Sequence, residues 1–166
     1  MDIKSFSKEY IVKRLGEGDI GDIFTLCSAN KMYYEYCPPM VTEESIIRDM
    51  KALPPHKTLE DKYYIGYYIG KKLVAVLDLI EGYPKDKTIF IGFFMVDCLL
   101  QKKGLGTAII SELCSALKRE GMHGIQLAWV KGNPQAEYFW KKNNFIIVKE
   151  AVGSIADSVL LAERIL

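Results

Sequence analysis

Apolar residues recur along the chain with two different periods, and the places where the period changes mark the elements. From Lys62 the repeat is two. Tyr63, Ile65, Tyr67 and Ile69 share one face, Gly70-Lys71-Lys72 turns the chain, and Leu73 to Ile80 follows, which predicts an antiparallel hairpin. After a turn at Gly82-Tyr83-Pro84, Thr88 to Val96 is apolar on both faces except at Gly92, the pattern of a central strand covered from both sides. Gly92 then implies a bulge or a close approach to the backbone. Gly104 to Glu120 has a repeat near 3.6, with Leu105, Ala108, Ile109, Leu113, Ala116 and Leu117 on one stripe and Gly121 beyond its basic end. Ile125 to Val130 reads as a strand and Pro134 to Asn143 as a short helix. Phe145 to Lys149 and Ser158 to Ile165 read as closing strands.

Upstream, Ile11, Val12 and Leu15 predict a short strand, and Asp19 opens a helix carrying Ile20, Ile23, Phe24 and Cys27 that ends near Asn30. A second helix is expected from Glu43 to about Leu53, capped by Thr42 and stopped by Pro54-Pro55. Between them, Lys31 to Val41 reads as an aromatic loop that Pro38 and Pro39 keep from becoming helical.

The length of 166 residues suits one domain, 1–166, since a chain near ~150 residues can bury roughly 70% of its unfolded surface. With 49% apolar and 26% charged residues, the composition is that of a soluble globular protein. A net charge of +1 supplies no field to draw nucleic acid or an anionic membrane, so neither partner is expected and any basic site is local. Met1 to Tyr10 lacks an apolar targeting core, and the longest apolar stretch, Ile89 to Val96, is too short to span a bilayer; a cytoplasmic protein is expected, monomeric or homodimeric. Cys27, Cys37, Cys98 and Cys114 form no C-x-x-C pair and His56 and His123 complete no zinc spacing, so reduced thiols and no metal are expected.

The segment Gln101-Lys102-Lys103-Gly104-Leu105-Gly106-Thr107 joins the buried strand to the mouth of the longest helix. Backbone N–H groups at such a terminus, with the helix dipole behind them and no Cβ in the way at glycine, can hold a pyrophosphate. Lys102 and Lys103 add local charge. A Walker A loop needs a lysine after its last glycine, where this chain has Thr107, and a dinucleotide fingerprint needs a third glycine, where it has Ile109.

The remaining pattern, Gln-x-x-Gly-x-Gly, resembles the acyl-CoA signature of the GNAT N-acyltransferase superfamily. Downstream, Asn133-Pro134-Gln135-Ala136-Glu137-Tyr138-Phe139-Trp140, running on to Asn144-Phe145, resembles that family's Asn-x-x-Ala-x-x-Phe-Tyr-x-x-x-Gly-Phe element, with Asn144 in place of glycine. Asn is among the few residues that take the left-handed conformation cheaply. The specific resemblance covers Thr88 to Val148. It implies an α/β fold: a mixed, mostly antiparallel sheet of about seven strands, flanked by about four helices and splayed between strands four and five. It also implies acetyl-CoA as cosubstrate, with the pyrophosphate on the Gln101–Thr107 amides, the pantetheine amides paired with backbone near Met95 and Val96, and Asn133 meeting the arm.

The activity it implies is acetyl transfer to a primary amine by direct attack in a ternary complex. The acceptor is expected against the first two helices and their loop, rich in Met32, Tyr33, Tyr34 and Tyr36, and a small molecule is favoured over a protein tail. Many members carry a tyrosine acid where this chain has Trp140, whose indole donates a hydrogen bond but no useful proton; Trp140 is expected to wall the thioester. A thiol of pKa near ~8.5 leaves as thiolate for roughly 2 kcal/mol, whereas an alkylamine of pKa near ~10.4 must lose a proton for roughly 4 to 5 kcal/mol, so the base matters more. No acid occurs between Thr88 and Val96, which leaves Asp78 and Glu81 as candidate bases. The competing reading is a coenzyme-binding sensor or interaction module without turnover.

Overall fold

The computed structural model describes residues 1–152 and 158–166. Seven strands, β1 (Ile11–Arg14), β2 (Lys62–Ile69), β3 (Lys72–Glu81), β4 (Thr88–Val96), β5 (Gly124–Val130), β6 (Ile146–Ala151) and β7 (Val159–Ile165), form one sheet in the order β1-β2-β3-β4-β5-β7-β6. Every pairing is antiparallel except β4 with β5. That parallel step needs a crossover, supplied by α4 (Leu105–Arg119).

The other helices are α1 (Ile20–Ser28), α2 (Lys31–Tyr36), α3 (Glu43–Lys51) and α5 (Pro134–Lys142). The described residues hold five α-helices, in keeping with the expected number of about four, and one of them, α2, lies where an aromatic loop was expected. The prolines begin only at Pro38, one residue past Cys37, so they end this helix instead of preventing it. Its first turn is closed by Tyr33 N–H donating to the Asn30 carbonyl at 3.1 Å. Thr42 caps α3 as expected, its hydroxyl accepting from Ser45 N–H at 3.1 Å. Asn144 takes the left-handed conformation, with φ of 63°.

Two apolar layers sit on opposite faces of the sheet. One gathers Ile65, Leu77, Ile91 and Leu127 beneath α4 and α5; the other gathers Tyr64, Val76 and Met95 beneath α1 to α3. Both layers are needed to cover β4, which explains why its sequence is apolar on both faces. Phe93 and Phe94 fall on different layers, as do Met95 and Val96.

At Gly92 the alternation slips. Asp78 faces Phe93 while the adjoining Leu79 faces Ile91, so Gly92 is an unmatched residue in β4. Before this bulge the odd-numbered Ile89 and Ile91 face α4; after it the even-numbered Phe94 and Val96 do.

Candidate functional site

β4 ends at Val96, a 3-10 turn covers Cys98–Leu100, and the chain reverses into α4 through Lys102 and Gly104, both left-handed at φ of 60° and 89°. Among the described residues no side chain caps α4, and the first bond of its ladder runs from Ala108 N–H to the Gly104 carbonyl at 2.9 Å. The amides of Leu105, Gly106 and Thr107 consequently point out of the helix mouth, where the dipole is positive. The two glycines do different work. A Cβ on Gly104 would meet nothing within 4 Å, so that residue is needed for its backbone angle and leaves the mouth open. A Cβ on Gly106 would lie 3.1 Å from Phe139 and 3.4 Å from Val96, so its absence lets α4 settle against α5 and the end of β4.

Lys102 and Lys103 are exposed beside the mouth, and Lys103 borders a shallow concavity of about 370 Å³ shared with Tyr10 and Leu100. Beside this positive end the Asp97 carboxylate is already engaged, taking the Leu99 amide at 2.9 Å and the Lys72 ammonium at 2.6 Å. Burial pushes its pKa up, but the Lys72 contact and the amide outweigh it, and the carboxyl is held below the ordinary value.

A slot opens from this mouth. β4 and β5 pair only from Thr88–Gly124 to Ile91–Leu127, and beyond the bulge the strands diverge. Asp97 N–H bonds the Val74 carbonyl at 2.9 Å, so two residues back Met95 spends its backbone groups on Val76 while Phe94 and Val96 turn theirs toward the slot. The Val96 carbonyl is taken, accepting from Asn30 Nδ2 at 3.2 Å and Gln101 Nε2 at 3.1 Å.

Aromatic rings wall the slot on the α5 side. Phe94 stacks on Phe139 with centroids 5.8 Å apart, and Trp140 lies 5.9 Å from Phe94 and 5.1 Å from Phe145. Trp140 is buried, whereas Tyr138 is 70% exposed and stands outside the slot. Asn133 is buried and its Oδ1 caps α5, accepting from Ala136 N–H at 3.0 Å.

The two carboxylates expected as bases lie far apart in role. Asp78 is buried on the α1–α3 face over the bulge, close enough that a Cβ on Gly92 would be 2.7 Å from its Oδ2. That oxygen takes the Lys62 ammonium at 2.8 Å, and Lys62 donates also to the Ala52 carbonyl at 2.9 Å. Asp78 Oδ1 is buried with no hydrogen-bond partner among the described residues. Burial pushes the Asp78 carboxyl above its ordinary value, Lys62 opposing it and Asp49 of α3 adding to it. Glu81 sits opposite Ile89 at the closed end of β4, seven residues or roughly 23 Å from Val96, and accepts from the Tyr63 hydroxyl at 2.9 Å.

Around Asp78 the α1–α3 face is aromatic. Tyr33 sets its ring edge-on to Phe93 at 5.7 Å and to Tyr34 at 5.0 Å, and burial pushes the hydroxyls of Tyr33, Tyr34 and Tyr64 up, which keeps them neutral. Sequence reasoning missed Lys62, Asn30 and Gln135, whose Nε2 donates to Gln101 Oε1 at 3.0 Å. Lys62 was legible only as the first residue of β2, and nothing in the spacing ties Asn30 to Gln101, 71 positions away.

Comparisons with known proteins agree with this fold. The family model described as "Acetyltransferase (GNAT) family" matches residues 28–145. An acetyltransferase from Thermus thermophilus superposes with a TM-score of 0.79 at 19% identity, covering 95% of this chain and 97% of its own. PaiA N-acetyltransferase from Thermoplasma acidophilum, solved in complex with coenzyme A, gives 0.70 at 17% identity, covering 95% and 99%. A chimera of the spermidine N-acetyltransferase SpeG from Vibrio cholerae and hSSAT gives 0.69 at 17% identity, covering 95% and 96%. A search of curated proteins gave no match.

Proposed function

The chain belongs to the acetyltransferase (GNAT) family, and on that premise we propose that residues 1–166 act as one domain that moves an acetyl group from acetyl-CoA to the primary amine of a small molecule. The observation that carries this reading is the uncapped α4 terminus at the mouth of the β4–β5 splay, where outward amides, an open Gly104 and two exposed lysines suit a pyrophosphate. The coenzyme A bound to the similar PaiA protein supports the donor, and the likeness to a chimera of the spermidine N-acetyltransferase SpeG supports a small cationic acceptor.

In the proposed reaction the slot-facing backbone of Phe94 holds the pantetheine arm in the manner of an added strand, and Val96 N–H polarises the thioester carbonyl. The amine attacks from the α1–α3 face. Its C–N bond forms as the C–S bond breaks, the electron pair leaves on sulfur, and the ammonium proton passes to Asp78 Oδ1, directly or through water. Lys62 holds the other carboxylate oxygen and so fixes the direction of the open one. Trp140 supplies no acid, a loss of roughly 2 kcal/mol against the roughly 4 to 5 kcal/mol that deprotonating the amine requires.

The test is release of free thiol from acetyl-CoA across a panel of amines that includes spermidine, with saturation in both substrates expected. Stabilisation of the fold by coenzyme A without thiol release from any amine would overturn catalysis and favour the sensor reading, for which the aromatic cluster around Trp140 is the supporting observation.

A further inference from the structure

All four side-chain amide hydrogens of Asn30 and Gln101 are spent on each other and on the groups around them. Asn30 Nδ2 donates one hydrogen to the Leu26 carbonyl at 2.9 Å and the other to the Val96 carbonyl at 3.2 Å. Asn30 Oδ1 accepts from Gln101 Nε2 at 2.6 Å. The second hydrogen of Gln101 Nε2 also goes to the Val96 carbonyl, at 3.1 Å, and Gln101 Oε1 accepts from Gln135 Nε2 at 3.0 Å. Four donor hydrogens and both lone pairs of Val96 are accounted for, so the Gln101 side chain has no hydrogen left to offer a phosphate.

This cluster touches five parts of the fold at once: the last turn of α1 through Leu26, the first turn of α2 through the Asn30 carbonyl, the end of β4 through Val96, the loop into α4 through Gln101, and the first turn of α5 through Gln135. α2 in turn carries Tyr33 against Phe93, on the strand that ends at Val96. With every hydrogen of Asn30 and Gln101 committed, the network favours one geometry, and disturbing either residue leaves polar atoms unpaired.

We infer that Asn30 and Gln101 are positioning residues that tie the coenzyme seat to the acceptor wall, so that binding coenzyme A at the α4 mouth tightens α2. This rests on the coenzyme reading above. A ligand that fixes the Gln101–Gly104 loop fixes the Gln101 amide, which fixes Asn30 and the start of α2. By linkage, an acceptor held against α2 strengthens coenzyme binding to the same degree.

Amide hydrogen exchange on the full chain, with and without coenzyme A, tests the tie without knowledge of the acceptor. Coenzyme A is expected to slow exchange across residues 31–36 by at least about fivefold, the lower end of couplings of this kind. In Gln101→Met, which keeps the side-chain length and removes its polar atoms, the protein still binds coenzyme A but the slowing falls below about twofold. Asn30→Asp, which keeps the acceptor for Gln101 and loses both donated bonds, is expected to behave alike; if it does not fold, the half-exposed Gln101→Met carries the test. Unchanged exchange in α2 while coenzyme A stabilises the wild type, or slowing that survives Gln101→Met, overturns the tie alone. No stabilisation by coenzyme A overturns the coenzyme reading and the tie with it.

Discussion

The two sides of β4 are made of different materials. Toward α4 the candidate site is backbone: amides at a helix mouth, a left-handed glycine, and the slot-facing groups of Phe94 and Val96. Toward α1 to α3 it is side chains: one carboxylate and one ammonium withdrawn from water, beside half-buried rings of Tyr33, Tyr34 and Phe93. A binding site made of main chain can hold the same diphosphate in many relatives, because every residue brings the same N–H. A site made of side chains can be rebuilt for each acceptor without touching the first.

The largest effect should come from the side-chain half. Asp78→Asn is expected to lower kcat/KM by about 10²–10⁴, the usual contribution of a positioned base, while coenzyme A still stabilises the fold. Because the substitution strands the buried Lys62 ammonium, Lys62→Met with Asp78→Asn provides a companion that removes both charges. Burial raises the Asp78 pKa, so the acid limb of the wild-type kcat/KM profile should bend above the ordinary value of 3.8 and vanish in either variant. Retained activity in the double variant would remove Asp78 from the chemistry.

The backbone half should break more simply. At ligand near 100 times its Kd, coenzyme A adds about 2.7 kcal/mol of stability, or roughly 5 to 10 °C in Tm for a chain of this size. Gly104→Glu is expected to abolish that gain, since it places a carboxylate at the mouth and a Cβ where φ is 89°. Undiminished stabilisation would show that the coenzyme is held elsewhere.

The smallest effect concerns the junction between the halves. Asp97 has a depressed pKa, so its pairing with Lys72 contributes stability above about pH 3.8 and loses it as the pH falls through the folded-state pKa. Lys72→Met should therefore cost up to about 1 kcal/mol near neutral pH in chemical denaturation, the difference closing below about pH 4. A constant difference across pH would mean that Lys72 acts by packing instead.

The same division decides what could be read before the fold was known. Gly104, the periodicity of α4 and the two-faced apolar run of β4 are constraints on backbone and burial, and such constraints leave marks at fixed spacing. The Gly92 bulge was legible for the same reason, as a small residue inside an otherwise unbroken strand. α2 was not, because Pro38 and Pro39 dominate the local propensity while the bond that starts this helix comes from Asn30 and its packing comes from Phe93, 60 positions from Tyr33. Neither was the Lys62–Asp78 pair, since its members are joined by strand register, which no run of neighbouring residues encodes.

The extra residue at Gly92 acts on β4 as a phase shift of half a pleat. If one residue were deleted there, the strand would regain a single rhythm from Thr88 onward, and Phe94 and Val96 would swap faces with Phe93 and Met95. The C-terminal half of β4 could then run on beside β5 as an ordinary parallel neighbour, and the gap that separates them would zip shut. One glycine thus decides whether this sheet is a closed floor or a floor with a door in it.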